Sequence, residues 1–347
     1  MRAVVTERTG PPEVMRVTDV APREPGPREI RIAVAACGVC FHDVVVRNGT
    51  YRRGVGMPVI LGHEVAGTVE KLGSEVKDLK RGDLVATTTY SHVCGDCRHC
   101  RGGRETSCPE RVFLGDAGLN GGYAELVCVD ADAAQKIPPG VSMEEASVVA
   151  CTVGTELNAV REVGRVRLGE RVLVTGAGGG LGLHSVQLCR LAGAFTIAVT
   201  TSEAKAARIR EAGADEVIVI DRGGDFSGEV RRMTNGRGVD VTIDNVGSPV
   251  FGSVRRSMAD DGRIVLVGQV TGDFISINPA QLFLRNVSIL SAKGVSRAQL
   301  ADALGLVARR RIKPVVEDVC RLEDAAEAHR RVEAGLSSGR LILSPAK

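Results

Sequence analysis

The stretch VLVTGAGGGLG, Val172–Gly182, decides the fold. A short apolar run, Arg171–Thr175, leads into a glycine cluster, and Leu183, Val186, Leu188, Cys189 and Leu191 then recur at roughly helical spacing. That order reads as strand, tight turn, helix. Glycines at such a turn let the backbone bend sharply, approach a pyrophosphate and pack the helix close to the strand. The helix N-terminus meanwhile offers unpaired N–H groups and its positive dipole end to phosphates. Gly176, Ala177, Gly179, Gly180, Leu181 and Gly182 are therefore the candidate residues of a dinucleotide-binding loop.

Downstream, Phe195–Thr200, Glu216–Ile220, Val239–Asn245, Arg263–Val267 and Ser288–Ser291 are further short apolar runs, and Ala204–Ala212 reads as a helix. Strands separated by helical stretches predict a doubly wound parallel sheet. The end of its second strand selects the coenzyme. An acidic residue there would grip the ribose 2′-hydroxyl of NAD. This chain instead has Thr200, Thr201 and Ser202, with Lys205 and Arg208 close behind, a set that suits the 2′-phosphate of NADP(H). Glu203, next door, is the feature that points the other way.

Upstream, Met1–Thr6, Glu29–Cys37, His63–Leu72, Asp83–Thr88 and Tyr123–Val129 are short β segments between Gly- and Pro-containing turns, which predicts a compact, mostly antiparallel β domain. A chain of 347 residues is long enough for two cores. The expected division is 1–152, 153–294, and a segment 295–347 that returns to the first domain. A hydrophobic fraction of 44% and a charged fraction of 25% are those of an ordinary globular protein. The net charge of +3, with both signs mixed, implies neither a nucleic-acid nor a membrane partner. The N-terminus has no apolar signal segment, and no run of about 20 apolar residues occurs. Ten cysteines in such a chain are expected to be thiols or metal ligands, in the cytoplasm.

Four of them, Cys94, Cys97, Cys100 and Cys108, crowd into one Gly- and Arg-rich loop. Four thiolates match a closed, structural zinc site, although ligand chemistry alone also admits an iron–sulfur cluster. His92 and His99 flank the loop, and four sulfurs make them unnecessary as ligands. Arg98, Arg101 and Arg104 lack interleaved aromatics and read as solvated charges rather than a nucleic-acid surface. A second set is dispersed: Cys40 in CGVCFHD, His63 and Glu64 in GHE, and Cys151 in VACTVGT. Two thiolates and an imidazole with a fourth position open are the ligand count of a catalytic zinc. Asp43 is placed to orient His63 by accepting its other ring N–H.

These residues resemble the zinc-dependent medium-chain dehydrogenase/reductase superfamily, which includes the alcohol dehydrogenases. The resemblance rests on CGVCFHD (Cys37–Asp43), PVILGHEVAGTV (Pro58–Val69), the four-cysteine loop, GGYAE (Gly121–Glu125), Cys151 and the glycine loop, in the family's order. It implies an α/β protein: a GroES-like, mostly β catalytic domain, a doubly wound parallel Rossmann domain, a cleft between them, and a homodimer or homotetramer. It also implies that Cys40, His63 and Cys151 hold catalytic zinc, with Glu64 near enough to exchange as a further ligand, and that the four-cysteine loop holds structural zinc. Thr155 joins the residues expected at the coenzyme.

One departure matters. Alcohol dehydrogenases usually place Ser or Thr two residues after the first cysteine ligand, to start a proton relay, whereas this chain has His42. An imidazole can relay a proton near neutral pH, or simply line the pocket. The CFHD-to-LGHE segment also resembles relatives that reduce acryloyl-CoA-like thioesters, and TGAGGGLG resembles the quinone and enoyl reductases. Three functions are thus in view. The first is NADP(H)-linked interconversion of an alcohol and an aldehyde or ketone. The second is reduction of an activated C=C bond in an enoyl thioester, enone or quinone, for which Arg52 and Arg53 could attract a phosphorylated carrier. The third, a non-catalytic dinucleotide-binding protein, is disfavoured by the complete ligand set.

Overall fold

Two positions of the Val172–Gly182 turn need glycine. Gly176 has φ +60°, and a Cβ on Gly182 would stand 2.2 Å from the Gly176 carbonyl oxygen. The helix Gly182–Leu191 consequently starts directly against the turn. These coordinates come from a computed structural model that describes residues 1–51, 56–116 and 119–347.

The chain divides into two compact units. One comprises Thr155–Lys293 with Arg311–Lys313. Its sheet has six strands, in the order Glu216–Val219, Phe195–Thr200, Arg171–Val174, Val239–Asp244, Met258–Leu266, Ser288–Ser291. Every pairing is parallel. The strand that carries the glycine turn is thus the third of six, at the point where the order reverses, which is where a doubly wound sheet binds ligands. Leu173, Ile197, Phe226, Val230, Val254 and Ile264 form the core on one face. The strand Met258–Leu266 begins five residues before the Arg263–Val267 expected from sequence. A register shift beside Val239 and Val241 accommodates the polar Asp260-Asp261 pair, which reads as a turn.

The other unit comprises Met1–Gly154, Gly294–Arg310 and Pro314–Lys347. Its main sheet is built on Glu29–Val39, which pairs antiparallel with Glu64–Leu72, with Leu126–Asp130 and with Arg340–Ser344. The segment after residue 313 therefore supplies two strands, Val316–Arg321 and Arg340–Ser344, the latter a direct neighbour of the central strand. The helix Phe41–Arg47 follows that central strand, although Val44, Val45 and Val46 favour a β conformation. Its first turn decides the matter: the Asp43 carboxylate accepts from the backbone N–H of Cys40 at 2.9 Å. None of the ten cysteines forms a disulfide. Among the described residues no helix is long and apolar enough to cross a membrane.

Beneath the glycine turn lies a polar cluster. The Thr175 hydroxyl donates to Asp244 at 2.6 Å, Asn245 donates to the Thr175 carbonyl and to Ser185, and the Ser185 hydroxyl donates to Glu156 at 2.6 Å. Glu156 is fully buried and its second carboxyl oxygen has no partner among the described residues; burial pushes its carboxyl up to about 8. The folded chain thus keeps a proton that the unfolded chain releases near 4.5. Stability is full below that value and falls as pH rises towards 8, by up to about 1.4 kcal/mol per pH unit. Glu156→Gln is expected to flatten this slope. Melting temperatures at pH 6 and pH 9 check it, and equal slopes in both proteins would exonerate Glu156.

Candidate metal centres and coenzyme loop

In the four-cysteine loop, the turn at Cys94–Cys97 and the short helix Arg98–Arg101 fold the sulfurs inwards. All four lie within 4.8 Å of one another. Cys94 Sγ is 3.5 Å from Cys108 Sγ and 3.9 Å from Cys100 Sγ. Tetrahedral zinc–thiolate bonds of about 2.3 Å set neighbouring sulfurs about 3.8 Å apart, so the donor set fits zinc. Backbone N–H groups of Cys94, Cys97 and Cys100 donate to the sulfurs of Cys108, Cys94 and Cys97. The bond from Cys100 helps hold the Cys97 thiol down at about 7. His92 stands apart from the sulfur cluster, paired with Asp130 at 2.6 Å.

The dispersed residues also converge. Cys40 caps the helix Phe41–Arg47, His63 immediately precedes and Glu64 opens the strand Glu64–Leu72, and Cys151 lies in the π-type turn Val149–Gly154. Their ligand atoms fall within 4.8 Å, with the two sulfurs 3.9 Å apart. His63 Nδ1 is taken by Asp43 Oδ1 at 3.1 Å, which leaves Nε2, 3.9 Å from Glu64 Oε1, for a metal. Burial would raise the Asp43 carboxyl, but the charge and hydrogen bond of His63 outweigh it and hold the group well below its usual range. This cluster suits a metal too: soft sulfurs and one imidazole, preorganised by a carboxylate.

The sequence did not single out Arg340. Its guanidinium is buried and donates to Glu64 (2.6 Å), to Cys40 Sγ (3.2 Å) and to Cys151 Sγ (3.4 Å). A hydrogen bond from Cys151, then the charge of Arg340, hold the Cys40 thiol well below its usual range. Burial raises Glu64, and Arg340 opposes it. The available signal was an arginine opening the apolar strand RLILS: a cation on a buried strand needs an anionic partner. Asp116 was missed as well. It is buried, and its Oδ2 lies 3.1 Å from His42 Nε2. The His42 ring packs against Phe113 at 4.7 Å, Tyr51 at 5.2 Å and, edge-on, His63 at 5.3 Å. Arg52 and Arg53 lie outside the described residues.

In the other unit, Gly176, Ala177, Gly179, Gly180, Leu181 and Gly182 form the turn and the helix start. Thr200 ends its strand buried, Thr201 is exposed, and Ser202 is half-buried before the helix Glu203–Ala212. A Cβ on Gly178 would stand 2.8 Å from the Lys205 side chain, so Lys205 lies against the glycine loop. Thr155 is buried at the start of this unit.

Two family models match the chain: the alcohol dehydrogenase GroES-like domain over residues 26–139 and the zinc-binding dehydrogenase domain over residues 180–309. The chain belongs to the zinc-type medium-chain dehydrogenase/reductase superfamily of oxidoreductases. It is 34% identical to an acryloyl-coenzyme A reductase of Sulfurisphaera tokodaii, over 99% of this chain and 100% of that one. It is 32% identical to an NAD-dependent alcohol dehydrogenase of Saccharolobus solfataricus, with the same coverage. The crystal structure of AibC superposes with a TM-score of 0.92 at 42% identity, covering 100% of this chain and 96% of that one.

Two zinc ions per chain are the expected elemental content. Cys97→Ser should remove one equivalent and Cys151→Ser the other. Elemental analysis of the three purified proteins checks this, and a wild type with one equivalent would remove one cluster from the metal sites.

Proposed function

We propose that this chain interconverts an alcohol and an aldehyde or ketone, with NADP(H) as coenzyme. The observation that carries this reading is the gathering of Cys40, His63, Cys151 and Glu64 within 4.8 Å. Three of them make up the ligand count of a catalytic rather than a closed zinc site. Bound zinc would supply a Lewis acid for the substrate oxygen, and the nicotinamide the hydride donor or acceptor. Asp43 keeps His63 in the tautomer whose Nε2 is free to ligate. Arg340 holds Glu64 as a reserve donor rather than a permanent ligand. His42 takes the place of the relay hydroxyl: with Nε2–H donating to Asp116, Nδ1 is left to hold or pass a proton. Lys205 beside the glycine loop, and the lack of an acid at Thr200–Ser202, support a 2′-phosphate.

A second reading, reduction of a conjugated C=C bond, draws support from the imidazole at position 42 and from the full-length likeness to an acryloyl-coenzyme A reductase. One incubation separates the two. With NADPH and an α,β-unsaturated aldehyde, the unsaturated alcohol is the expected product, and the saturated aldehyde would replace the first reading by the second. The same assay with NADH should give at least about tenfold lower kcat/KM, a difference of about 1.4 kcal/mol, which Lys205→Ala should narrow.

A homo-oligomer is also proposed. The strand Ser288–Ser291 is a sheet edge, and Phe274, Phe283 and Leu284 in the same unit are 101%, 68% and 76% exposed. Light scattering should give a mass of two or four times 36.6 kDa. Phe283→Arg should lower it, and a monomeric wild type would refute the proposal.

A further inference from the structure

Behind the Cys40 cluster runs a line of hydrogen bonds that the ligand set does not require. Asp43 Oδ1 meets His63, while Asp43 Oδ2 accepts from the Cys40 backbone N–H and, at 3.0 Å, from the Tyr123 hydroxyl. The Tyr123 oxygen in turn lies 3.3 Å from His329 Nε2, and the two rings meet edge to face at 5.9 Å. Asp43, Tyr123 and His329 are all buried to within 1% of complete. Tyr123 has one proton, and the carboxylate can only accept it. His329 Nε2 must therefore carry the proton that faces the Tyr123 oxygen. His329 Nδ1, which has no hydrogen-bond partner among the described residues, is then the bare acceptor nitrogen. Every donor in the line points towards Asp43.

The helix Ala325–Glu333, which carries His329, also grips the helix Phe41–Arg47 at its far end. Arg47 is completely buried, and its guanidinium donates to Glu333 at 2.6 Å. The segment bearing Asp43 is thus pinned at both ends from one helix nearly 300 residues later in the chain.

We propose that Tyr123 and His329 are positioning residues of the metal centre: the line His329–Tyr123–Asp43 fixes the carboxylate that aims His63, and so makes metal retention depend on the helix Ala325–Glu333. This rests on Cys40, His63 and Cys151 being the ligands. Without the Tyr123 hydroxyl, Asp43 Oδ2 keeps only the Cys40 N–H, the carboxylate gains freedom to rotate, and His63 loses part of its orientation. Partners one layer beyond a ligand are typically worth about 10- to 100-fold in metal affinity, and this line acts through such a partner.

The test follows zinc release from the purified, zinc-loaded full chain to a chromophoric chelator. Two phases are expected, and Cys151→Ser identifies its own by deleting it. Tyr123→Phe, which keeps the ring and removes only the hydroxyl, should accelerate the Cys151-dependent phase about tenfold and leave the four-cysteine phase and the melting temperature unchanged. His329→Leu should act in the same direction, while His329→Gln, which restores an N–H donor, should recover a large part of the retention. An unchanged Cys151-dependent phase in Tyr123→Phe overturns the proposal. Equal acceleration of both phases with a lower melting temperature also overturns it, because that is loosening of the fold. A wild type with no Cys151-dependent zinc defeats the ligand assignment itself, and the proposal with it.

Discussion

Concentrating two sulfurs, an imidazole and a carboxylate within 4.8 Å inside a protein core is the constraint on which the rest of the unit that begins at Met1, here the first, depends. Such groups are costly to bury unless each is paired. Here the compensation comes from distant parts of the chain. Arg340 brings one positive charge to Glu64 and both sulfurs, and Asp43 brings a negative charge to His63. The sheet exists in the form needed to deliver them, with Arg340–Ser344 inserted beside Glu29–Val39, the strand that leads to Cys40.

The second unit solves a simpler problem. Its turn needs close backbone approach at Gly182 and a left-handed residue at Gly176, and the parallel strands on either side are ordinary apolar runs. The polar cluster beneath, from Thr175 to Glu156, ties the turn to the helix behind it with hydrogen bonds as short as 2.6 Å. A neutral Glu156 is compatible with that burial because it brings no charge.

What could be read from the sequence follows from this contrast. The glycine turn, the six strands and the four-cysteine loop are local signals: a spacing or a periodicity within a few residues. The strands Phe195–Thr200 and Ser288–Ser291 agree with sequence expectation to the residue. Cys40, His63 and Cys151 could be grouped only by ligand chemistry and family resemblance, because no spacing links residues 111 apart. Asp116 and His329 gave no such signal, Arg340 showed only as a cation opening an apolar strand, and Tyr123 only as a member of GGYAE. Tyr123 and His329 are separated by 206 positions and Glu64 and Arg340 by 276, so only the folded sheet brings them together. The helix Phe41–Arg47 was hidden for another reason: its three valines favour strand, and the cap from Asp43 outweighs them.

The position of Arg340 also imposes an order of events during synthesis. Domains fold as units while the chain emerges, and every residue of the second unit, through Lys313, has been made before Arg340 is added. Until Arg340 has been added, the unit that begins at Met1 therefore has an unneutralised pocket and a central strand with one neighbour missing, while every residue of the other unit is already present.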